Sequence, residues 1–221
     1  MATVVVTGAN RGIGLEYCKQ FLARGDLVIA LCRHSNSELQ ALACRVEEGI
    51  DVSSDECVEI IRERLNDVSQ VDVLVNNAGL LTSESLNDLN YERIRSQFEI
   101  NTLGPLRVTE ALIEKLASGA KIAMMSSRMG SVTDNTSGSS YGYRISKAGL
   151  NIASVSLAHD LKSKGVALAI LHPGYVKTEM TGMSGNMDTE ESVSGLMQRI
   201  DGLSLDNSGT FWHSNGEVLP W

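Results

Sequence analysis

Thr3-Val4-Val5-Val6-Thr7-Gly8-Ala9-Asn10-Arg11-Gly12-Ile13-Gly14 is the stretch on which the fold turns. The β-branched run Thr3–Val6 favours a strand, and its unbroken apolar character suits a strand covered on both faces. Three glycines follow in the order Gly-x-x-x-Gly-x-Gly, and a helical pattern begins near Leu15. Glycines permit a tight turn and close approach of a ligand to the backbone. The unpaired N–H groups and positive dipole at a helix N-terminus favour a pyrophosphate. A strand, a glycine turn and a helix at the start of such a chain therefore imply a dinucleotide site built from Gly8, Arg11, Gly12, Ile13 and Gly14.

Beyond this stretch, short β-branched runs alternate with longer segments whose apolar residues lie three and four apart. That is the pattern of βαβ units feeding a parallel sheet. Strands are expected at Thr3–Val6, Leu27–Leu31, Val71–Val75, Lys121–Met125 and Val166–Leu171, with weaker ones near Ile50 and Phe211. Helices are expected at Leu15–Ala23, Asp55–Leu65, Tyr91–Leu116, Tyr141–Lys164 and Glu190–Ile200. The result is a single α/β domain over residues 1–221, a doubly wound parallel sheet with helices on both faces. Two polar, glycine-rich segments, 128–140 and 181–188, would follow strand C-termini and border a substrate. The second lacks the bulk and periodicity of a helix, so it is expected to be mobile until a ligand orders it.

Composition narrows the function. The formal charge of -8 repels phosphate backbones and anionic lipid, which argues against nucleic acid and membrane surfaces as partners. No leader pattern or membrane-length apolar run is present, and the protein is read as cytoplasmic. Cys18, Cys32, Cys44 and Cys57 show no Cys-x-x-Cys spacing and are read as reduced and structural. His34, His159, His172 and His213 are scattered without a metal or nucleophile-base spacing, so no metal site is expected.

The glycine element resembles the Thr-Gly-x-x-x-Gly-Ile-Gly motif of the short-chain dehydrogenase/reductase superfamily, a Rossmann-type family. Other elements that look like its signatures follow in order. Asp51-Val52 is similar to the pair that contacts adenine, and Asn76-Asn77-Ala78-Gly79 to the segment that supports the sheet and lines the cofactor. Pro173-Gly174-Tyr175-Val176-Lys177-Thr178 resembles the segment that meets the nicotinamide. The resemblance implies cofactor contacts from Asn77, Ala78, Gly79, Pro173, Val176 and Thr178, as well as Asp51 and Val52.

Tyr143 and Lys147 stand four residues apart and so share one helical face. Moving a phenol from its ordinary pKa of about 10 by about three pH units takes roughly 4 kcal/mol. An ammonium at about 4 Å and an effective dielectric near 20 supplies that much, so Lys147 is expected to pull Tyr143 toward neutrality. Tyr141 has Ile145 four residues on, which offers no such help. The resemblance adds a serine at the end of the preceding strand. Gly130, three residues beyond Ser127, selects Ser127 over Ser126 by the family's pattern. It also adds an asparagine, matched by Asn101. Pro105 lacks an N–H, so the Asn101 carbonyl is expected to lose its helical partner and hold a water that passes protons to Lys147.

In that scheme Ser127 holds a carbonyl oxygen, Tyr143 protonates it, and Lys147 grips the nicotinamide ribose as well as tuning the phenol. The implied reaction is reduction of a small aldehyde, ketone or quinone by hydride transfer. Tyr143 stands 16 positions after Ser127, longer than the family's usual interval. This spacing, together with the ending Gly216-Glu217-Val218-Leu219-Pro220-Trp221, resembles the sniffer-type carbonyl reductases and their bacterial relative, C-factor. The latter raises an alternative, a signalling protein that binds cofactor with little turnover. By the same resemblance the chain is expected to form a homodimer or homotetramer through its long helices.

The cofactor is expected to be NADP(H). NAD-selective relatives place an acid at the end of the second strand. Here Cys32 stands there, small and neutral, followed by Arg33, whose planar charged fork suits a 2'-phosphate, with Arg11 able to approach from the glycine loop.

Overall fold

The computed structural model describes residues 1–221. Seven strands form one sheet: β1 (Thr3–Thr7), β2 (Leu27–Leu31), β3 (Arg45–Glu47), β4 (Val71–Asn76), β5 (Leu116–Met125), β6 (Ala167–His172) and β7 (Phe211–His213). Their spatial order is β3-β2-β1-β4-β5-β6-β7, and every neighbouring pair is parallel. The winding reverses between β1 and β4, and such a switch point opens a crevice at the strand C-termini.

Side-chain alternation along the strands divides the core into two layers. Val5, Ile29, Leu74, Ile122, Met124 and Ile170 face one layer, which is closed by helices α3 (Cys57–Arg64), α5 (Gly104–Leu112) and α6 (Tyr141–Leu161) through residues such as Ile61, Leu112 and Leu150. Val4, Val6, Val28, Ala30, Val75, Ala123 and Leu171 face the other. There α1 (Gly12–Ala23) contributes Leu15 and Phe21, and α7 (Thr189–Asp201) contributes Val193 and Leu196. The three valines of β1 are fully buried, each a gain of about 1.5–3 kcal/mol over exposure. Burial on both faces explains why these strands read as continuous apolar runs.

Three expected boundaries move. The weak strand near Ile50 is instead β3, three residues earlier in the chain; Gly49, with φ +78°, turns the backbone after it, and the Ile50 N–H bonds to the Cys32 carbonyl at 3.1 Å. The expected helix Tyr91–Leu116 is α4 (Tyr91–Phe98), a π-helical turn at Glu99–Leu103, and α5. In that turn the Gly104 N–H bonds back to the Glu99 carbonyl. Pro105 cannot donate, and the chain absorbs the break as a wider turn. Finally, β5 begins at Leu116 rather than Lys121: Leu116 pairs with Val71 and Lys121 with Val73, so the intervening residues bulge out. A short helix, α2 (Ser37–Gln40), capped by the Asn36 side chain, had no counterpart in the sequence reading.

Segment 181–188 folds back on the residues before it. The Lys177 N–H bonds to the Met187 carbonyl at 3.0 Å, the Asn186 N–H bonds to the Tyr175 carbonyl at 3.0 Å, and the Tyr175 hydroxyl meets Ser184 at 2.7 Å. No helix is long and apolar enough to cross a membrane, and all four cysteines are free.

Candidate active site

The glycine loop is locked to the end of β4. The Thr7 hydroxyl accepts the Asn77 and Ala78 amides at 2.9 and 3.0 Å, and Asn77 Nδ2 donates to the carbonyls of Thr7 at 3.0 Å and Gly8 at 3.3 Å. Gly8 and Gly12 have φ of +64° and +54°, a region that favours glycine. A methyl group on Gly14 would lie 2.2 Å from the Gly8 oxygen and 2.5 Å from Asn77 Nδ2. Gly14 thus serves loop packing, behind the surface that a ligand would touch.

A cleft of about 470 Å³ runs over these residues. Its walls include Gly8, Arg11, Gly12, Ile13, Arg33, Asp51, Val52, Asn77, Ala78, Gly79 and Thr178. The backbone curvature and the room left by absent Cβ atoms fit a dinucleotide pyrophosphate. Pro173 and Val176 are not in these walls. They hold the segment that brings Thr178 there: the Pro173 carbonyl accepts the Ser192 hydroxyl at 2.7 Å, and the Val176 carbonyl accepts that of Thr181 at 2.8 Å. If this cradle binds a nicotinamide dinucleotide, Gly14→Ala should weaken cofactor binding at least tenfold in a fluorescence titration. Gly202→Ala, where a methyl group meets nothing closer than 3.4 Å, serves as the control. Affinity within twofold of the parent for Gly14→Ala would refute the cradle.

At one end of the cleft, burial and the charge of Glu48 push the Cys32 thiol up to about 11, so it is neutral near pH 7. Arg33 is exposed beside Asp51. Burial alone would raise that carboxyl, but hydrogen bonds from the Ser53 hydroxyl and amide and the Arg33 charge hold it below the usual range. Arg11 is placed differently from expectation. It forms an ion pair with Glu179 across the mouth of the cleft, so a phosphate there would share the guanidinium with that carboxylate.

The four candidate catalytic residues are not in these walls; they adjoin the cleft through Asn101, which bonds to the wall residue Leu80. Ser126 and Ser127 are separated as strand alternation requires: the Ser126 hydroxyl is buried against Asn151 Oδ1 at 2.6 Å, whereas that of Ser127 accepts the Met129 N–H at 3.2 Å and lies near enough to the Tyr143 phenol to lower its pKa. Asn101, fully buried in the π turn, accepts the Leu80 N–H at 2.7 Å and donates to the Leu80 carbonyl at 2.8 Å. Its Nδ2 also donates to Ser146 at 2.9 Å. Lys147 lies beneath the Tyr143 ring, its Nζ 5.7 Å from the centroid, and donates to the Met125 carbonyl at 2.7 Å.

The electrostatics correct the expectation for this pair. Burial pushes Tyr143 up to about 12, with Ser127 pulling the other way, and burial pushes Lys147 down to about 7. Both charged forms are disfavoured by desolvation, and Lys147 has no carboxylate partner to restore its charge. The protein therefore holds a neutral phenol, the form that donates a proton, without drawing its pKa toward neutrality.

Several wall residues escaped the sequence reading, among them Asn10, His34, Leu80, Glu179 and Met180. Leu80 had a usable signal, since it directly follows the Asn-Asn-Ala-Gly element. Glu179 had none, lying 168 residues from its partner Arg11. The scattered histidines also hid a contact: His172 and His213 meet edge to face at 4.9 Å at the ends of β6 and β7. Burial and the neighbouring positive groups hold His172 at about 3, so it stays neutral near pH 7.

Residues 2–189 match the family model described as short chain dehydrogenase. The chain is 42% identical over 226 residues to a 1-hydroxy-2-glutathionyl-2-methyl-3-butene dehydrogenase of Rhodococcus sp. (strain AD45), covering 100% of both chains. It is 44% identical over 154 residues to the C-signal protein of Myxococcus xanthus, covering 68% of this chain and 93% of that one. Among solved structures, the carbonyl reductase Sniffer of D. melanogaster superposes with a TM-score of 0.92 at 29% identity, over 100% of both chains. The NADPH-bound carbonyl reductase from chicken fatty liver gives 0.89 at 28%, over 100% of this chain and 99% of that one.

Proposed function

The chain belongs to the short-chain dehydrogenase family, an oxidoreductase family that uses a nicotinamide cofactor, and within it we propose that this protein transfers hydride between NADP(H) and a small carbonyl compound or its alcohol. The observation that carries the reading is the meeting of Ser127, Tyr143 and Lys147 at the strand ends beside the glycine-lined cleft.

Bound in the cleft, the nicotinamide supplies or accepts the hydride. In reduction the Ser127 hydroxyl holds the carbonyl oxygen, and the neutral Tyr143 phenol delivers the proton that the developing alkoxide needs. Lys147, fixed by the Met125 carbonyl, presents its ammonium to the ribose and the phenol. Asn101, immobilised by Leu80 and Ser146, holds the π turn from which its carbonyl anchors the proton relay. Residues 128–140 and 181–188 form the substrate walls. The same groups run in reverse for an alcohol, and the Rhodococcus relative is named for such an oxidation. A panel of aldehydes, ketones and quinones with reduced cofactor, and of alcohols including glutathione conjugates with oxidised cofactor, tests the assignment. Turnover in either direction supports it. Tight cofactor binding without turnover would favour the signalling reading that the C-signal relative raises.

NADP(H) is preferred because Cys32 places no acid beside the ribose and Arg33 stands exposed next to it. Introducing Cys32→Asp with Arg33→Ala should shift the ratio of kcat/KM values toward NAD(H) by tenfold or more, a redistribution of about 1.4 kcal/mol. Efficiencies favouring NADH in the unaltered protein would overturn the preference. Free cysteines suit a cytoplasmic setting. Ile145 and Ile152, on one stripe of α6 and 51% and 68% exposed, suit self-association of the homodimer or homotetramer kind.

A further inference from the structure

The loop between Ser127 and Tyr143 ends in two consecutive non-glycine residues with left-handed backbone, Ser139 at φ 55° and Ser140 at φ 51°. Side chains persist in that region only where neighbours over-determine them. Two neighbours do so here, from opposite sides.

Glu84, 2% exposed, arrives from the segment after β4. Its main-chain carbonyl accepts the Ser140 N–H at 2.7 Å, and its Oε2 accepts the Gly142 N–H at 3.1 Å. Oε1 accepts the Thr82 hydroxyl at 2.5 Å and Gln97 Nε2 at 3.2 Å. The Gly142 N–H and Gln97 Nε2 can only donate, and they meet different oxygens of the carboxylate, so an amide would turn its own N–H groups toward one of them. From the other side Arg144 reaches back over the loop. Its Nε donates to the carbonyls of Ser139 at 3.1 Å and Gly138 at 3.2 Å, Nη2 to the Ser137 hydroxyl at 2.9 Å and Nη1 to the Met129 carbonyl at 3.4 Å. A lysine has no fork with which to span these acceptors. Residues 142 and 144, on either side of Tyr143, are thus tied to different parts of the molecule, while the Tyr143 carbonyl is held by Ser146 at 2.8 Å.

We infer that Glu84 and Arg144 are positioning residues of the reaction, a two-sided clasp that fixes the start of α6 and so aims the Tyr143 hydroxyl at the substrate oxygen. The inference rests on Tyr143 being the proton donor. Misplacement of a reacting group by about 1 Å can lower a rate about a hundredfold, so the clasp acts on turnover more than on cofactor binding, whose cleft does not include these residues.

The test measures kcat per cofactor-binding site, with sites counted by fluorescence titration of reduced cofactor, for Glu84→Gln and Arg144→Lys. Each should lose at least tenfold in kcat per site while cofactor Kd stays within twofold. The double variant should lose little more than the worse single one, because both hold one element. Unchanged kcat per site, with only fewer competent sites or a lower Tm, would show that the pair serves folding alone and would overturn the inference. If Glu84→Gln does not fold, Arg144→Lys, at the part-exposed end of the clasp, decides by the same criterion. Tyr143→Phe is measured alongside: full activity there refutes the proton-donor reading, whereas an inactive Tyr143→Phe beside fully active clasp variants refutes the clasp alone.

Discussion

Tyr143→Phe should lower kcat/KM by about a thousandfold or more, within the range of about 10²–10⁴ that a positioned general acid contributes and equivalent to roughly 4 kcal/mol of lost transition-state stabilisation. Only the hydroxyl is removed. The ring that covers Lys147 remains, and the glycine-lined cleft is untouched, so cofactor affinity should stay within twofold. Equal losses of turnover and cofactor binding would instead mean a damaged fold. Tyr141 provides the internal control. It is 36% exposed, with Ile145 rather than a lysine one turn away, and Tyr141→Phe should keep normal rates. The opposite pattern, with Tyr141→Phe inactive and Tyr143→Phe active, would move the proton donor to the other tyrosine.

What could be read from the sequence was what local rules control. The alternation of Val4, Val5 and Val6 between two core layers follows from the period of a strand, and the glycine turn announces itself through backbone freedom. Tyr143 and Lys147 share a face because four residues make about one helical turn. The misplaced features depend on non-local balances. β3 is only three residues long, set by pairing with Ile29–Leu31, and its own sequence, Arg-Val-Glu, carries little strand signal. The proline at 105 signalled a break but not its form, since a π turn depends on which carbonyls find donors. Arg11 was expected to approach a 2'-phosphate, and nothing local signals its partner Glu179, 168 residues away. Glu84 belongs to no motif, and only its burial beside Gly142 shows what it holds. The expected lowering of the Tyr143 pKa failed for the same reason. Spacing gave the proximity of two charges, while their desolvation depends on everything packed around them.

Lys147→Met should raise the stability of the protein at pH 6 while abolishing turnover. Lys147 is 4% exposed and has no carboxylate partner, and burial holds its pKa at about 7 against 10.5 in water. Keeping the charge there at acid pH therefore costs on the order of 5 kcal/mol. Methionine fills similar space without a charge, and replacing a buried ion by an apolar group of similar volume is often stabilising. Part of the gain is offset because the Met125 carbonyl loses its donor, a charged hydrogen bond of about 1.5–3 kcal/mol. The remainder, at least about 2 kcal/mol, corresponds to a Tm increase of about 4–8 °C or more for a chain of this size. The pH dependence fixes the cause. Above about 10.5 the lysine is neutral in both folded and unfolded chains, and below about 7 it is charged in both. Between them the unfolded chain binds a proton that the folded one does not, so this group makes the parent protein more stable as pH rises through that window. The advantage of Lys147→Met should accordingly be largest at pH 6 and shrink by pH 9.5. Thermal melts that show no advantage at pH 6, or one that grows with pH, would mean that Lys147 is not held against its own charge. Cofactor affinity should fall together with turnover, in contrast to Tyr143→Phe, because the ammonium is assigned to the ribose as well as to the phenol.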